Sequence, residues 1–271
     1  MSGFSPQWLS LREPADAQAR NMALAAKASA LARSRPDAAI VDLACGTGAH
    51  LRARAPRMGP NQRWTLVDHE LALLDSARAK LETWAERAQQ TCDGLVLERV
   101  GQRITVRFRQ ADLQRDLEFA LGDAPQMVTA AALFDLCSGE FIGRLAAAVA
   151  ARGAPFYTAL SFNGQQHWSP PHAADADMLA AFNAHQRGEK GFGPAAGPDA
   201  PAALAAAFGS VGWQVEEADS PWRLGNGDEE LLSELAVGFA NAVAETERVD
   251  TNTIADWRAG GRHGAVVGHT D

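Results

Sequence analysis

Residues 38–48 read AAIVDLACGTG, and no other stretch limits the possible folds as sharply. From Ala39 to Ala44 the run is small, β-branched and mostly apolar with no alternation of polar positions, so it reads as a short strand buried on both faces, as in a parallel sheet. Asp42 interrupts the run near its end, and Gly46 and Gly48 follow at once. These glycines allow a tight turn into a helix through conformations that a side chain disfavours. Ligands in open parallel sheets bind outside the carboxyl ends of strands, so this turn marks the candidate site.

The pattern around it supports an α/β fold. RWTLVDHE gives a second strand ending at Asp68, LALLDSARAKLETWAERAQQ an amphipathic helix, and LVLERVGQRITVRFRQADL a hairpin turning near Gly101, with Ile104 to Arg109 as its main arm. PQMVTAAALFDL supplies a fourth strand, GEFIGRLAAAVA a helix and APFYTALSF a fifth strand. Such alternation predicts a doubly wound, mostly parallel sheet with helices on both faces. An N-terminal helix starting near Pro14 and running to about Ser34, before Pro36, forms a helical cap over residues 1–36, and residues 37–271 form the main domain.

Between Asn163 and Pro201 the pattern lapses into NGQQHWSPPH, a short helix around DADMLAAFNAHQ and the glycine- and proline-rich EKGFGPAAGPDA. A departure of that length reads as a functional insertion, about residues 163–201. A helix over Ala200 to Phe208, a strand over Trp213 to Glu217, a long helix from Asp228 to about Glu245 and a final strand GAVVGHT close the chain. The last two strands are expected to form an antiparallel edge of the main sheet.

Composition narrows the partners. The 271 residues are 46% hydrophobic, enough for one substantial core, and carry 25 Lys and Arg against 33 Asp and Glu. Nucleic-acid binding draws on phosphate neutralisation, for which an acidic chain is poorly built. Cys45, Cys92 and Cys137 show no metal-ligand spacing, and the N-terminus lacks a charged lead into an apolar run. These features fit a reduced cytoplasmic setting with neither a membrane nor a metal.

The motif Val41, Asp42, Leu43, Ala44, Cys45, Gly46, Thr47, Gly48 resembles the first motif of the class I S-adenosylmethionine-dependent methyltransferases. Ala44 stands where that family often has its first glycine. Asp68, about 20 residues after the turn, is similar to the family's ribose-binding acid, and Asp112 in QADL to the acid that faces the adenine amino group, with Leu113 against the ring. The resemblance covers roughly Ala39 to Phe162. It implies a seven-stranded Rossmann-like methyltransferase fold with S-adenosyl-L-methionine as cofactor and S-adenosyl-L-homocysteine as product. Contacts to the cofactor are then implied at Asp42, Ala44, Gly46, Gly48, Asp68, His69, Asp112 and Leu113.

Each position also has a structural reading: Asp42 as a turn cap, Asp68 and Asp112 as helix or turn caps. A nicotinamide-dependent dehydrogenase needs a third glycine three residues after the second, and Leu51 holds that place. A silent cofactor-binding regulator would share the whole motif.

Methyl transfer is an in-line displacement that demands alignment and dryness more than acid–base work. Oxygen acceptors usually need a base, whereas neutral amines do not. Asp135, in ALFDLCS after the fourth strand, either touches the acceptor or cofactor or caps the following helix. Past the fifth strand, His167 or His185 is a candidate base, Trp168 and Phe192 candidate walls, and Lys190 a partner for an anionic acceptor. His167 and His172 lack the spacing of a metal ligand set. Trp8, Arg12 and Arg20 are placed to cover the cofactor, with an arginine for its carboxylate. The Asn-Pro-Pro-aromatic signature of many enzymes that methylate nucleic-acid bases and proteins is absent. The expectation is therefore O- or N-methylation of a small molecule, with protein or nucleic-acid methylation as the alternative.

Overall fold

The computed structural model describes residues 4–33 and 38–271. Two helices, α1 (Pro6–Ala19) and α2 (Met22–Arg33), precede β1 (Ala38–Leu43), α3 (Ala49–Arg54), β2 (Asn61–Asp68) and α4 (Leu71–Trp84). A meander of β3 (Arg87–Thr91), β4 (Gly94–Arg99) and β5 (Gln102–Gln110) leads to α5 (Leu117–Leu121), β6 (Met127–Ala131), α6 (Gly139–Ala151) and β7 (Phe156–Ala159). The chain ends with β8 (Ser161–Ser169), α7 (Asp175–Gln186), α8 (Ala200–Ser210), β9 (Trp222–Leu224), α9 (Glu229–Glu245), α10 (Thr251–Ala259) and β10 (Gly264–Thr270).

Seven strands form the main sheet in the order β3-β4-β5-β2-β1-β6-β7. From β5 to β7 every pairing is parallel, and β3 and β4 add an antiparallel end. Alternating side chains feed two cores. Val41, Leu43, Val128 and Ala130 meet α5, α6 and α8 on one face, while Ile40, Leu66, Ile104 and Val106 meet α2, α3 and α4 on the other. The sheet is therefore doubly wound, as the alternation predicts. A third core lies under a separate sheet, β8-β10-β9, where Trp168, Trp222, Phe239 and Trp257 pack with α7, α9 and α10.

Several boundaries differ from expectation, each for a local reason. The N-terminal helix is two helices: Ser5 caps the first by accepting from Trp8 N–H, so it starts before Pro14, which lies inside α1. Asn21 starts the second by accepting from Ala23 and Leu24 N–H, and the expected end at Ser34 and Pro36 falls outside the described residues. Residues 87–90, read as helix tail, form with Thr91 the exposed strand β3, paired with β4 across the two-residue turn Cys92–Asp93. Residues 163–169 continue as β8 rather than loop, and Trp213 to Glu217 is not a strand; β9 takes that role nine residues later. The last strands thus leave the main sheet, and the meander makes up its seven.

The break occurs at Leu160, whose φ of +63° turns β7 into β8. Leu160 N–H donates to Asp271 Oδ1 at 2.9 Å, and Asn21 N–H to Asp271 Oδ2 at 2.8 Å, so one carboxylate ties this corner to the junction between α1 and α2.

His269 on β10 lies buried against Phe162 and Trp222, and burial pushes its pKa down from 6.5 to about 4. An unfolded imidazole takes a proton near 6.5, so stability from this group is whole above pH 6.5 and is lost as pH falls toward 4. The loss is about 3 kcal/mol. Buried His50 acts in the same direction and Asp42 in the opposite one, so the comparison needed is between variants. Denaturant titrations of His269→Gln across this range should show a shallower pH dependence than wild type; parallel curves would contradict the assignment.

Candidate active site

Three adjacent parallel strands leave the sheet through left-handed residues that are not glycine: Ala44 (φ +50°) after β1, Ala132 (φ +51°) after β6 and Leu160 after β7. For alanine or leucine such a conformation costs roughly 1–2 kcal/mol. Clustered strain of this kind at the carboxyl end of a sheet is a mark of functional sites. It steers the chain away sharply and opens the edge where ligands bind.

Past Ala44, Gly46 (φ +53°) and Gly48 (φ +76°) complete the turn into α3. Asp68, at the end of β2, holds it: Oδ2 accepts from Gly46 N–H at 2.9 Å and Oδ1 from Glu70 N–H at 3.0 Å. A carboxylate has about four acceptor positions, so Oδ2 keeps one to spare, while Oδ1 also faces His69 Nδ1. His69 is half exposed, and its hydrogen bond with Asp68 raises its pKa. Asp112 forms a local turn by accepting from Gln114 N–H at 2.9 Å, with its side chain nearly half exposed, while Leu113 is buried beside it. The structural readings of Asp68 and Asp112 thus hold, and both groups retain capacity for a ligand.

Asp42 is different. It is 1% exposed, and neither oxygen has a hydrogen-bond partner among the described residues. Loss of solvent raises its pKa well above the usual carboxylate range; Arg20 pulls it down and Asp68 pushes it up. Buried Arg20 interacts with Asp42 through space, but its Nη1 donates instead to His50 Nδ1 at 2.8 Å, and its Nε has no partner. Because arginine only donates, His50 carries its proton on Nε2, which meets Thr129 Oγ1 on β6 at 2.7 Å. Burial and the two nearby arginines, Arg20 and Arg54, keep that imidazole neutral.

Helix α1 covers the turn. A Cβ added to Gly46 would meet Leu9 Cδ1 at 3.1 Å. Glu13 takes both arms of Arg52, at 2.6 and 2.9 Å, while Arg52 Nη1 donates to Thr47 O at 2.7 Å. Lys80 Nζ donates to Ser10 Oγ at 2.6 Å. These latch residues come from elements far apart in sequence, and no local spacing announces them.

At the carboxyl end of β6, Asp135 sits in the 3-10 turn Phe134–Leu136. It is not the cap of the next helix, because Ser138 fills that role by accepting from Phe141 N–H. Burial raises the Asp135 pKa, against backbone donors that include Phe162 N–H and the charges of Arg12 and Lys190. Arg12 is paired with Asp16 and stacked over Trp222, and Trp8 lies on the same helix against the third core. Lys190 and His185 lie together at 3.3 Å, and Phe192 packs on Phe141.

Other candidates lie elsewhere. His167 is on the exposed face of β8, paired with Val266, while Trp168 turns inward between Phe239 and Trp257 as core. His172 caps its own loop and meets Asp256. Among the described residues, no group of three or more His, Cys, Asp or Glu side chains is placed to hold a metal ion, and no helix is long and apolar enough to cross a membrane.

No family model matches the chain, and no curated protein matches it. Among solved structures, a cyclopropane synthase from Mycobacterium tuberculosis superposes with a TM-score of 0.50 at 12% identity, over 99% of this chain and 95% of that one. A cyclopropane-fatty-acyl-phospholipid synthase-like protein from Lactobacillus casei gives 0.46 at 16% identity, over 99% and 94%. An O-methyltransferase family protein from Burkholderia thailandensis gives 0.46 at 15% identity, over 96% of this chain and 56% of that one. The first of these likenesses shows the fold, and the chain has the expected Rossmann-like fold of class I methyltransferases.

Ala44→Gly tests the strain at the turn. Glycine relieves the left-handed residue but gains freedom when unfolded, so the change is expected to be neutral or stabilising by up to about 1 kcal/mol. An ordinary Ala→Gly exchange costs about 0.5–1 kcal/mol. A loss of that size in denaturant unfolding would show that Ala44 is unstrained.

Proposed function

We propose that this chain is an S-adenosylmethionine-dependent methyltransferase acting on a small molecule by O- or N-methylation. The observation that carries the reading is the Asp42 carboxylate, buried beneath a glycine turn with no donor of its own and a buried arginine nearby. A carboxyl held this way ionises readily only beside a cationic partner, and a free amino-acid end supplies an ammonium for Asp42 and a carboxylate for Arg20. The methionine end of S-adenosylmethionine has both.

The remaining positions support the same ligand. Gly46 keeps a side chain out of the space between the turn and Leu9, the spare acceptor position of Asp68 Oδ2 suits a ribose hydroxyl, and His69 borders it. Half-exposed Asp112 suits the adenine amino group, with Leu113 against the ring. The cofactor, when bound, supplies a sulfonium methyl group. Protein residues then do the rest: α1 excludes water through Leu9 and its latch, and Asp135 takes a proton from an O–H or N–H acceptor. A carboxyl with a raised pKa is suited to that role near neutral pH. His167, on the exposed face of β8, enters no step of this scheme. A dehydrogenase is disfavoured because Leu51, where its third glycine would be, is fully buried core.

Calorimetric titration separates the classes. S-adenosylhomocysteine is expected to bind with one-to-one stoichiometry and NAD not at all. Binding of NAD alone would overturn the proposal, and binding of S-adenosylhomocysteine without methyl transfer to any acceptor would favour a silent regulator.

A further inference from the structure

Three elements favour the ionised form of Asp135: α1 and the glycine-rich loop after α7 through the charges of Arg12 and Lys190, and β8 through the backbone at Phe162. That loop is braced. Glu189 Oε1 accepts from Gly191 N–H at 2.7 Å and Gly193 N–H at 3.0 Å, and Glu189 bridges to Pro194. Phe192 forms a backbone bridge with Cys137, two residues from Asp135, so the loop is fastened to the turn that bears the carboxylate.

Lys190 is held from behind as well. Its Nζ lies 3.3 Å from His185 Nδ1 on α7, and His185 Nε2 lies 2.9 Å from Glu245 Oε2 on α9. An ammonium only donates, so His185 accepts at Nδ1 and its Nε2–H donates to Glu245. Exposure rises along the line, from 21% for the His185 side chain to 71% for Glu245. Burial lowers the Lys190 pKa, while Glu245 first and Asp135 second pull it back up. The packing of α7 on α9 does not need this line, since Phe182 on Phe239 and buried Met178 already supply it.

We propose that Lys190, fixed by His185 and Glu245, is a positioning residue that governs proton transfer at Asp135. The inference rests on the methyl-transfer reading for the source of the proton. In that reaction the S–CH3 bond breaks with its electron pair going to sulfur, the acceptor's oxygen or nitrogen bonds the methyl, and the acceptor's proton goes to Asp135. Lys190 stays protonated throughout and acts by charge. It offsets the cost of ionising a partly buried carboxyl, as Arg12 on α1, engaged with Asp16, also does.

The test needs neither cofactor nor acceptor. In ligand-free protein with 13C-labelled aspartate carboxyls, the Asp135 resonance is assigned by its absence in Asp135→Asn and titrated with pH. Lys190→Met is expected to move the Asp135 midpoint up by about half a unit or more, and Lys190→Arg to restore it. Glu245→Ala, which removes the acceptor that holds His185 behind Lys190, is expected to move it part of the way up. An Asp135 midpoint unmoved by Lys190→Met, or moved equally by Lys190→Arg, would overturn the proposal. Thermal melts of the Arg variant report any loss of fold separately. Failure of S-adenosylhomocysteine to bind would refute the methyl-transfer reading alone and leave this coupling to be judged by the titration.

Discussion

An ionised carboxylate taken out of water costs several kcal/mol unless an opposite charge or donors meet it. Asp42 has lost its water without gaining a donor from the chain, and the positive charge nearest in effect, Arg20, is committed to His50. The other features of the site follow from keeping that arrangement intact. Asp68 anchors Gly46 so that the turn keeps its shape, His50 and Thr129 fix Arg20 in place, and α1 seals the turn from solvent. A chain selected for stability alone would put an apolar side chain at position 42. Retaining an unmet carboxylate there is understandable when its partner is a ligand.

Strain and closure work together around this group. Ala44, Ala132 and Leu160 bend three neighbouring strands out of the sheet at one level, which spends stability to make an open edge. Helix α1 then closes that edge, held by Glu13 to Arg52 on one flank and by Asp16, which accepts from Trp222 Nε1, on the other. The carboxylate of Asp271 ties the base of the cap to the corner at Leu160. The cap and the turn therefore meet at the carboxyl end of β1, and the glycine-rich loop after α7 joins the turn after β6 through the Phe192–Cys137 bridge.

What the sequence makes legible is what local chemistry decides. The strand and turn at Ala38–Gly48, the hairpin at Gly101, and helices α6 and α9 follow from apolar periodicity and glycine placement. Asp68 and Asp112 are found by their position at strand ends. Strand β3 is hidden because its five residues are all exposed, so no apolar rhythm distinguishes it from a helix tail, and only pairing with β4 makes it a strand. The departure of β8 is hidden because a single left-handed Leu160 causes it, and leucine gives no warning of that conformation. Helix α10 does carry a signal: Asp250 caps it by accepting from Asn252 and Thr253 N–H. Long-range partnerships such as Glu13 with Arg52, or Arg20 with His50, have no local signature. Trp168 reads equally as a pocket wall or as core until its neighbours Phe239 and Trp257 are known.

Asp42 awaits an ammonium, and a double-mutant cycle measures that directly. Wild type and Asp42→Asn are each titrated with S-adenosylhomocysteine and with the analogue lacking its α-amino group. A charged hydrogen bond contributes about 1.5–3 kcal/mol, or roughly tenfold to a hundredfold in affinity. Removing the amino group is expected to weaken binding by that factor in wild type and to have little effect in Asp42→Asn. Equal losses in both proteins would place the ammonium elsewhere and contradict the account.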